Sequence, residues 1–212
     1  MWKPASLAVA LAACPVGLGA HPHIFVDATV TLELDEERRI TGVRVTWAYD
    51  DFFTLLILED MALDPDADGI LTEAELSQLR GFDLVEWPEG FEGDLYLTRG
   101  DEKAEIGLPE ATGIAVENGQ IVASHRREVT PFPADGTLVE AYDPTFYVAY
   151  ELHEVRLPEG CRAPVQPADA EAADARVAEM IKDDTLTEMT FEVLQIGHLY
   201  ADRAVISCAG SS

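Results

Sequence analysis

The chain has 212 residues, with 14 lysines and arginines against 40 aspartates and glutamates, and a formal net charge of −26 at pH 7. Such a charge repels nucleic acid and anionic lipid, so we expect no nucleic-acid partner, whereas cations are attracted. The length suits one domain with a sizeable core.

The first twenty residues have the features of an export signal. Lys3 lies ahead of an apolar run at 5–13, and small residues at 17–20 precede a cleavage site. We place the cut after Ala20, with cleavage after Gly19 as an alternative. A second alternative is a lipobox at 11–14 that would make the protein a tethered lipoprotein.

We therefore predict a signal peptide at 1–20, with Cys14 as the lipid-bearing residue in the lipobox alternative, and a periplasmic mature chain at 21–212. No later apolar run approaches the length of a membrane span. Loss of Lys3 alone changes the net charge to −27. The oxidising compartment predicts a disulfide between the two mature cysteines, Cys161 and Cys208.

Alternation of apolar and polar side chains predicts most of the strands. It is regular over 24–34 and resumes from Val43 to Tyr49 after the charged turn 35–39, which indicates a hairpin. Further strands are predicted at 94–98, 113–117, 120–129 (joined to the preceding strand by the turn at 118–119), 137–142, 145–152, near 188–195, and at 203–208. Residues 168–182 are predicted to form an amphipathic helix.

An Asp-rich loop follows the first hairpin. The twelve residues from Asp64 to Glu75 have the ligand order of an EF-hand calcium loop, and Gly69 permits its sharp turn. Ca²⁺ prefers six to eight oxygen ligands at roughly 2.3–2.6 Å. The predicted ligands are the side chains of Asp64, Asp66, Asp68, Thr72 and Glu75 and the backbone carbonyl of Ile70.

The flanks of the loop agree with this motif. The run 51–63 is apolar enough for a buried helix, and Thr72 with Glu75 forms a capping box that opens a second helix ending near Gly81. The alternative is a solvated acidic loop between two helices. The fold prediction is a β-rich α+β domain with two packed antiparallel layers, resembling a sandwich. An EF-hand-like helix-loop-helix is inserted at 50–80, and one amphipathic helix lies in the C-terminal half.

Two of the five histidines stand together at His21-Pro22-His23. Proline favours an extended backbone before it, and residues two apart in an extended segment point to the same side. Both imidazoles could then bind one Zn²⁺, Ni²⁺, Co²⁺ or Cu²⁺ ion. The alternative is a frayed terminus with idle histidines.

His125 and His153 are the preferred partners for that terminal site, ahead of His198. Neither has ligand spacing to another histidine, so the alternative is that each is an ordinary packing residue. No nucleophile–base pair or phosphate loop is apparent, and we expect the protein not to be an enzyme.

Three segments resemble a family of bacterial exported proteins that share domain of unknown function 1007. They are His21-Pro22-His23-Ile24-Phe25-Val26-Asp27-Ala28, then Trp47-x-x-Asp50-x-Phe52-Phe53, and Tyr142-Asp143-Pro144-Thr145-Phe146-Tyr147-Val148. The Asp-rich loop and the terminal cysteine also fit its pattern.

This resemblance implies the periplasmic component of an uncharacterised ABC-type transport system, partnered by an inner-membrane metal permease of the nickel/cobalt or zinc type. It implies His21 and His23 as transition-metal ligands and the Asp-rich loop as a second site. The chain is too short for two α/β lobes around a cleft, which favours a chaperone, sensor or accessory role. The alternative function is a calcium-stabilised interaction module outside the cytoplasm, without a role in metal transport.

Overall fold

The computed structural model describes residues 22–85, 87, 91–182 and 195–209, with side chains of the third helix described to residue 180. The predicted signal segment, His21 and most of the strand predicted near 188–195 lie outside the described residues. Over the described part the protein is a β-rich α+β fold, as predicted.

Twelve strands and three α-helices are present in the described ranges. The strands are β1 (Ile24–Leu34), β2 (Arg39–Tyr49), β3 (Leu95–Arg99), β4 (Glu102–Lys103), β5 (Glu110–Glu117), β6 (Gln120–Pro133), β7 (Leu138–Ala141), β8 (Val148–Arg156), β9 (Cys161–Arg162), β10 (Val165–Gln166), β11 (Arg203–Val205) and β12 (Ser207–Cys208). The helices are α1 (Asp51–Asp60), α2 (Glu73–Leu79) and α3 (Ala170–Lys182).

The strands form two five-stranded sheets and one two-stranded sheet. Strand order is β5-β6-β2-β1-β8 in the first sheet, β10-β11-β7-β3-β4 in the second, and β12-β9 in the third. Buried side chains of the first sheet, together with Leu58 of α1 and Leu79 of α2, join those of the second sheet in one hydrophobic cluster. The main sheets therefore share a core.

The β1–β2 hairpin forms because its residues alternate as predicted. Val26, Ala28, Val30 and Leu32 on β1 are at most 2% exposed, while the intervening residues face outward. We call these the inner and outer faces of the first sheet. Burying one face of such a strand fixes its register, since a slip by one residue would expose the whole apolar set.

The prediction of purely antiparallel layers is wrong for one pair of strands. β1 lies parallel to β8, from Ile24 opposite Val148 to Thr31 opposite Arg156. Parallel neighbours need a long crossover connection, and here the whole segment between β1 and β8 supplies it. Alternation within a strand does not reveal which distant strand will pair with it.

Several predicted boundaries shift. The helix predicted at 51–63 ends at Asp60, the strand predicted at 145–152 begins at Val148, and the strand predicted at 203–208 is interrupted between β11 and β12. The 145–147 segment instead folds around Asp143, whose carboxylate accepts amide hydrogens from Tyr147 and Val148 at 2.8 and 3.0 Å. Side-chain competition of this kind delays strand entry.

The predicted disulfide is confirmed. Cys161 and Cys208 are bonded, and they are direct partners in the β9–β12 ladder. The bond joins the end of the chain to the segment after β8, which closes a long loop and restricts the unfolded chain.

Candidate metal centres

The Asp-rich loop follows α1, and Asp50 caps the first turn of that helix. Oδ1 of Asp50 accepts the amide hydrogens of Phe52 and Phe53 at 2.9 Å each, and Oδ2 accepts that of Phe25 at 2.8 Å. One carboxylate therefore caps α1 and ties its first turn to β1.

Apolar anchors hold both ends of the loop against the body. Leu63 and Leu71 are 6% and 9% exposed, and Leu79 at the end of α2 is fully buried. The buried hydroxyl of Thr54 in α1 accepts the amide hydrogen of Ile121 on β6 at 2.9 Å. The polar residues between the two leucines are consequently held out from the core as one compact loop.

Three carboxylates converge inside this loop. Oxygens of Asp64, Asp66 and Asp68 lie within 4.8 Å of one another. The Asp64 carboxylate accepts the amide hydrogens of Asp68 and Gly69, each at 3.1 Å, which keeps it turned toward the loop interior. Gly69 has φ of 76°, a conformation that glycine adopts without strain.

Glu75 connects the two ends of the loop. Its Oε1 accepts the Asp64 amide hydrogen at 3.2 Å, and its Oε2 accepts the Thr72 amide and hydroxyl hydrogens at 2.7 and 2.6 Å. The Thr72 hydroxyl in turn accepts the Glu75 amide hydrogen, so the predicted capping box is present. These hydrogen bonds, led by that of the Thr72 side chain, lower the pKa of Glu75. The donor set is oxygen-only and fits a hard cation better than a soft one.

Within the described part of the chain, the predicted ligands His23, His125 and His153 do not meet at one site. His23 lies at the start of β1, where its amide donates to the Tyr147 carbonyl at 2.9 Å and its ring stands 4.8 Å from the Tyr147 ring. Asp27 follows four residues later on the same strand, about 13 Å away at 3.3 Å per residue. His23 is thus separated from the cluster that forms at Asp27.

His125 is buried on the inner face. It pairs with Val45 across β2–β6, is 1% exposed, and packs edge-on against Trp47 with ring centroids 4.9 Å apart. Burial, helped by the charge of Arg127, lowers the pKa of His125 to about 4, so the ring is neutral at pH 7. Its Nε2 has no hydrogen-bond partner among the described residues. The structure places this imidazole across the sheet from the outer face.

His153 lies in a cluster on the outer face. Its Nε2 is 3.1 Å from Oδ1 of Asp27, and its Nδ1 is 3.6 Å from Oε1 of Glu151. Within the described ranges, this trio and the three loop aspartates are the groups in which three ligand-type side chains converge. The His153 prediction therefore finds partners, although not the histidines expected.

Sequence reasoning missed Asp27 and Glu151 as members of a site. The alternation of β1 puts Asp27 outward, and Glu151 has the same orientation on β8, but the parallel pairing that joins them leaves no local signal. His198, ranked lower, lies apart from both groups, with its Nδ1 2.9 Å from the Gln195 carbonyl oxygen.

Two acid–tyrosine pairs, each with one buried and one half-buried member, were also missed. The Tyr49 hydroxyl donates to Asp83 at 3.0 Å, and the Tyr150 hydroxyl donates to Asp94 at 2.9 Å. Burial raises the pKa of Asp94 to about 7 and raises that of Asp83 as well. These acids join distant elements, and no sequence spacing identifies them.

Fold and sites together define a β-rich α+β domain that carries two carboxylate-containing candidate cation sites. The chain belongs to the family described as protein of unknown function (DUF1007), whose model matches residues 6–208. This confirms the predicted family. No curated protein matches the chain. None of the helices in the described ranges is long and apolar enough to cross a membrane.

Proposed function

We propose that this protein is a periplasmic metal-binding accessory protein, acting as chaperone, sensor or binding component of a Zn²⁺, Ni²⁺ or Co²⁺ transport system. In this proposal the loop from Asp64 to Glu75 holds Ca²⁺ as an EF-hand does, and a histidine-containing site holds the transition metal. Family resemblance motivates the transport role and the permease partner, and side-chain geometry motivates the metal sites.

One observation carries the calcium part, namely the convergence of Asp64, Asp66 and Asp68 within 4.8 Å. Like charges at such separations repel one another, and a divalent ion between them would convert that repulsion into attraction. The buried leucines on either side hold the loop in this shape, so the carboxylates need little further ordering before they bind.

In this proposal the Ile70 carbonyl, Thr72 and Glu75 complete the site. Glu75 does not belong to the group of three aspartates, and its carboxylate accepts hydrogens from the Asp64 amide and from Thr72, so it would have to turn toward the ion. Bound Ca²⁺ would supply positive charge that offsets the four carboxylates. The net charge of −26 further raises the local cation concentration.

Calorimetric titration of metal-stripped protein with CaCl₂ tests this site. We expect one ion per chain for the wild type and binding at least about tenfold weaker for the double variant Asp66→Asn/Asp68→Asn, because two of the carboxylate ligands are lost. The matched control is Asp101→Asn/Glu102→Gln, which removes the same two charges from exposed positions at the start of β4 and should bind as the wild type does. An identical loss in both double variants would show that net charge alone attracts the ion.

Native mass spectrometry of the processed protein tests the transition-metal role. Zn²⁺, Ni²⁺ or Co²⁺ should remain bound at micromolar concentration. If none binds, the proposed accessory role in metal transport is wrong, whatever the outcome of the calcium titration.

An exposed apolar face favours the alternative, a calcium-stabilised interaction module. Phe52, Leu55 and Leu56 on α1 are 69%, 63% and 48% exposed, and they stand directly ahead of the Asp-rich loop. Contiguous apolar side chains at a protein surface commonly mark a contact with another macromolecule. This alternative predicts that Ca²⁺ raises the melting temperature and that His21→Ala/His23→Ala leaves the melting temperature unchanged.

A further inference from the structure

His153 lies on the outer face of the first sheet, beside a bulge in β8. Alternation along β8 points Glu151 outward, Leu152 inward and His153 outward again. Ala28 pairs with Leu152, and Thr29 pairs with Glu154, so His153 has no partner on β1. An extra residue of this kind bends the strand, and the imidazole lies over Asp27.

The separation of His153 and Asp27 matches that of two ligands on one metal ion. Nε2 and Oδ1 are 3.1 Å apart. Two ligand atoms each about 2.1 Å from a metal, at angles between octahedral and tetrahedral values, are about 3.0–3.4 Å apart. The same distance also suits a direct hydrogen bond between the two side chains, so a metal titration must distinguish the two arrangements.

Glu151 supplies a feature found around metal-binding histidines. Its Oε1 lies 3.6 Å from Nδ1, the ring nitrogen of His153 that faces away from Asp27. A histidine that binds metal through one nitrogen commonly donates its other N–H to a carboxylate, which fixes the tautomer and the ring orientation. Glu151 and Asp27 thus flank the imidazole in different roles.

We propose that Asp27 and Nε2 of His153 bind a divalent transition metal such as Zn²⁺, Ni²⁺ or Co²⁺, with Glu151 as a positioning residue. This deepens the proposed function, on which the identity of the ion rests. One imidazole and one carboxylate suit these borderline ions better than Ca²⁺, which prefers oxygen ligands alone.

The exposure of the site determines its behaviour. The side chains of Asp27, His153 and Glu151 are 48%, 49% and 70% exposed. Two protein ligands leave the other coordination positions to water or to ligands from a partner. The site is therefore suited to a metal that is acquired and released, as a protein that hands metal to a permease requires, and unlike the closed four-ligand sites that hold structural zinc.

Zinc titration of single variants tests the assignment. With ZnCl₂ as the probe, His153→Ala and Asp27→Asn should each weaken binding by at least about tenfold, and Glu151→Gln by about 10- to 100-fold, the usual cost of removing a carboxylate that orients a ligand. His198→Ala is the matched control, because it removes another exposed imidazole and should leave the affinity unchanged. Melting temperatures verify that each variant is folded.

Spectroscopy and a second variant separate this inference from the proposed function. Bound Co²⁺ or Ni²⁺ should broaden the NMR signals of the His153 ring, and His21→Ala/His23→Ala should retain the site. If zinc binds the wild type and His153→Ala equally, or binding is lost only in the His21→Ala/His23→Ala variant, this assignment is wrong and the accessory role stands. If the wild type binds no transition metal, the trio is an ion pair and both fail.

Discussion

The loop from Asp64 to Glu75 and the cluster around His153 hold similar side chains but arise in different ways. The loop is one contiguous segment, and its carboxylates converge through turns among near neighbours. The outer-face cluster exists only because β1 lies beside β8 in the register that sets Asp27 opposite Glu151. A local site can be recognised from spacing, whereas an assembled site depends on the integrity of the core beneath it.

The largest effect should come from the core under the assembled site. Leu152 is 2% exposed and faces Ala28 on the inner side of the first sheet. We expect Leu152→Ala to lower the free energy of unfolding by about 2–5 kcal/mol, through lost burial and the cavity left behind. Urea denaturation measures this. Ile70→Ala in the exposed loop is the control and should change stability by about 0.5 kcal/mol or less. Similar losses in the two variants would contradict the contrast between body and loop.

The stability of the folded domain outside the Asp-rich loop should also depend on pH, through the buried Asp94. Burial raises the pKa of Asp94 to about 7, against about 3.9 for an aspartate in an unfolded chain. Between about pH 3.9 and about pH 7 the Asp94 carboxyl holds its proton in the folded protein but loses it in the unfolded chain. The free energy of unfolding therefore falls as pH rises through this range, by about 1.36 kcal/mol per unit of pKa difference.

The difference in free energy of unfolding between Asp94→Asn and the wild type should therefore favour the variant more at pH 8 than at pH 5. The change in this difference should be on the order of a few kcal/mol. Chemical denaturation at the two pH values measures the difference. The exposed Asp101→Asn serves as the control. A constant difference across this range would show that Asp94 is not held in its neutral form by the fold.

Calcium should raise the free energy of unfolding by binding the loop, and the contribution of the hydrophobic core should stay unchanged. At a concentration 100-fold above its Kd, Ca²⁺ should add about 2.7 kcal/mol to the free energy of unfolding. The same increment is expected in Leu152→Ala, because distant sites contribute additively. Denaturation of both proteins with and without Ca²⁺ measures the two increments. Unequal increments would mean that the core and the loop are coupled.

The smallest effects should come from the backbone of the loop. Gly69 has φ of 76° and Ala67 has φ of 54°. Gly69→Ala should cost about 1–2 kcal/mol, since an alanine is strained in that conformation. Ala67→Gly should be neutral or slightly stabilising, because the same strain is removed. Thermal denaturation without Ca²⁺ compares them, and a loss of similar size in both would indicate that the loop does not keep this conformation.

Local features of the fold could be predicted from sequence because neighbouring residues determine them. The β1–β2 hairpin follows from alternation, and the turn at Asn118-Gly119 has the positive φ values, 53° and 83°, that this residue pair favours. The capping box at Thr72 and Glu75 follows from their spacing. The disulfide could be predicted because only two cysteines, Cys161 and Cys208, follow the predicted signal segment.

The sites divide in the same way. Three of the predicted loop ligands, Asp64, Asp66 and Asp68, could be brought together from their spacing, because they lie within five residues of one another. The histidine site could not be predicted, because His23 lies ahead of β1, His153 lies on the outer face of β8, and His125 projects inward from β6. Alternation within a strand predicts which side of the sheet a side chain faces. Which residues lie beside it depends on how distant strands pair.

Composition and spacing alone determined that this protein is acidic, β-rich and equipped with a carboxylate loop. These properties depend on residues within a few positions of one another or on sums over the chain. Tertiary structure alone decided that β1 runs beside β8, that His125 is a neutral buried ring, and that Asp27, Glu151 and His153 meet. Those outcomes depend on burial and on contacts between distant segments, which no short stretch of sequence contains.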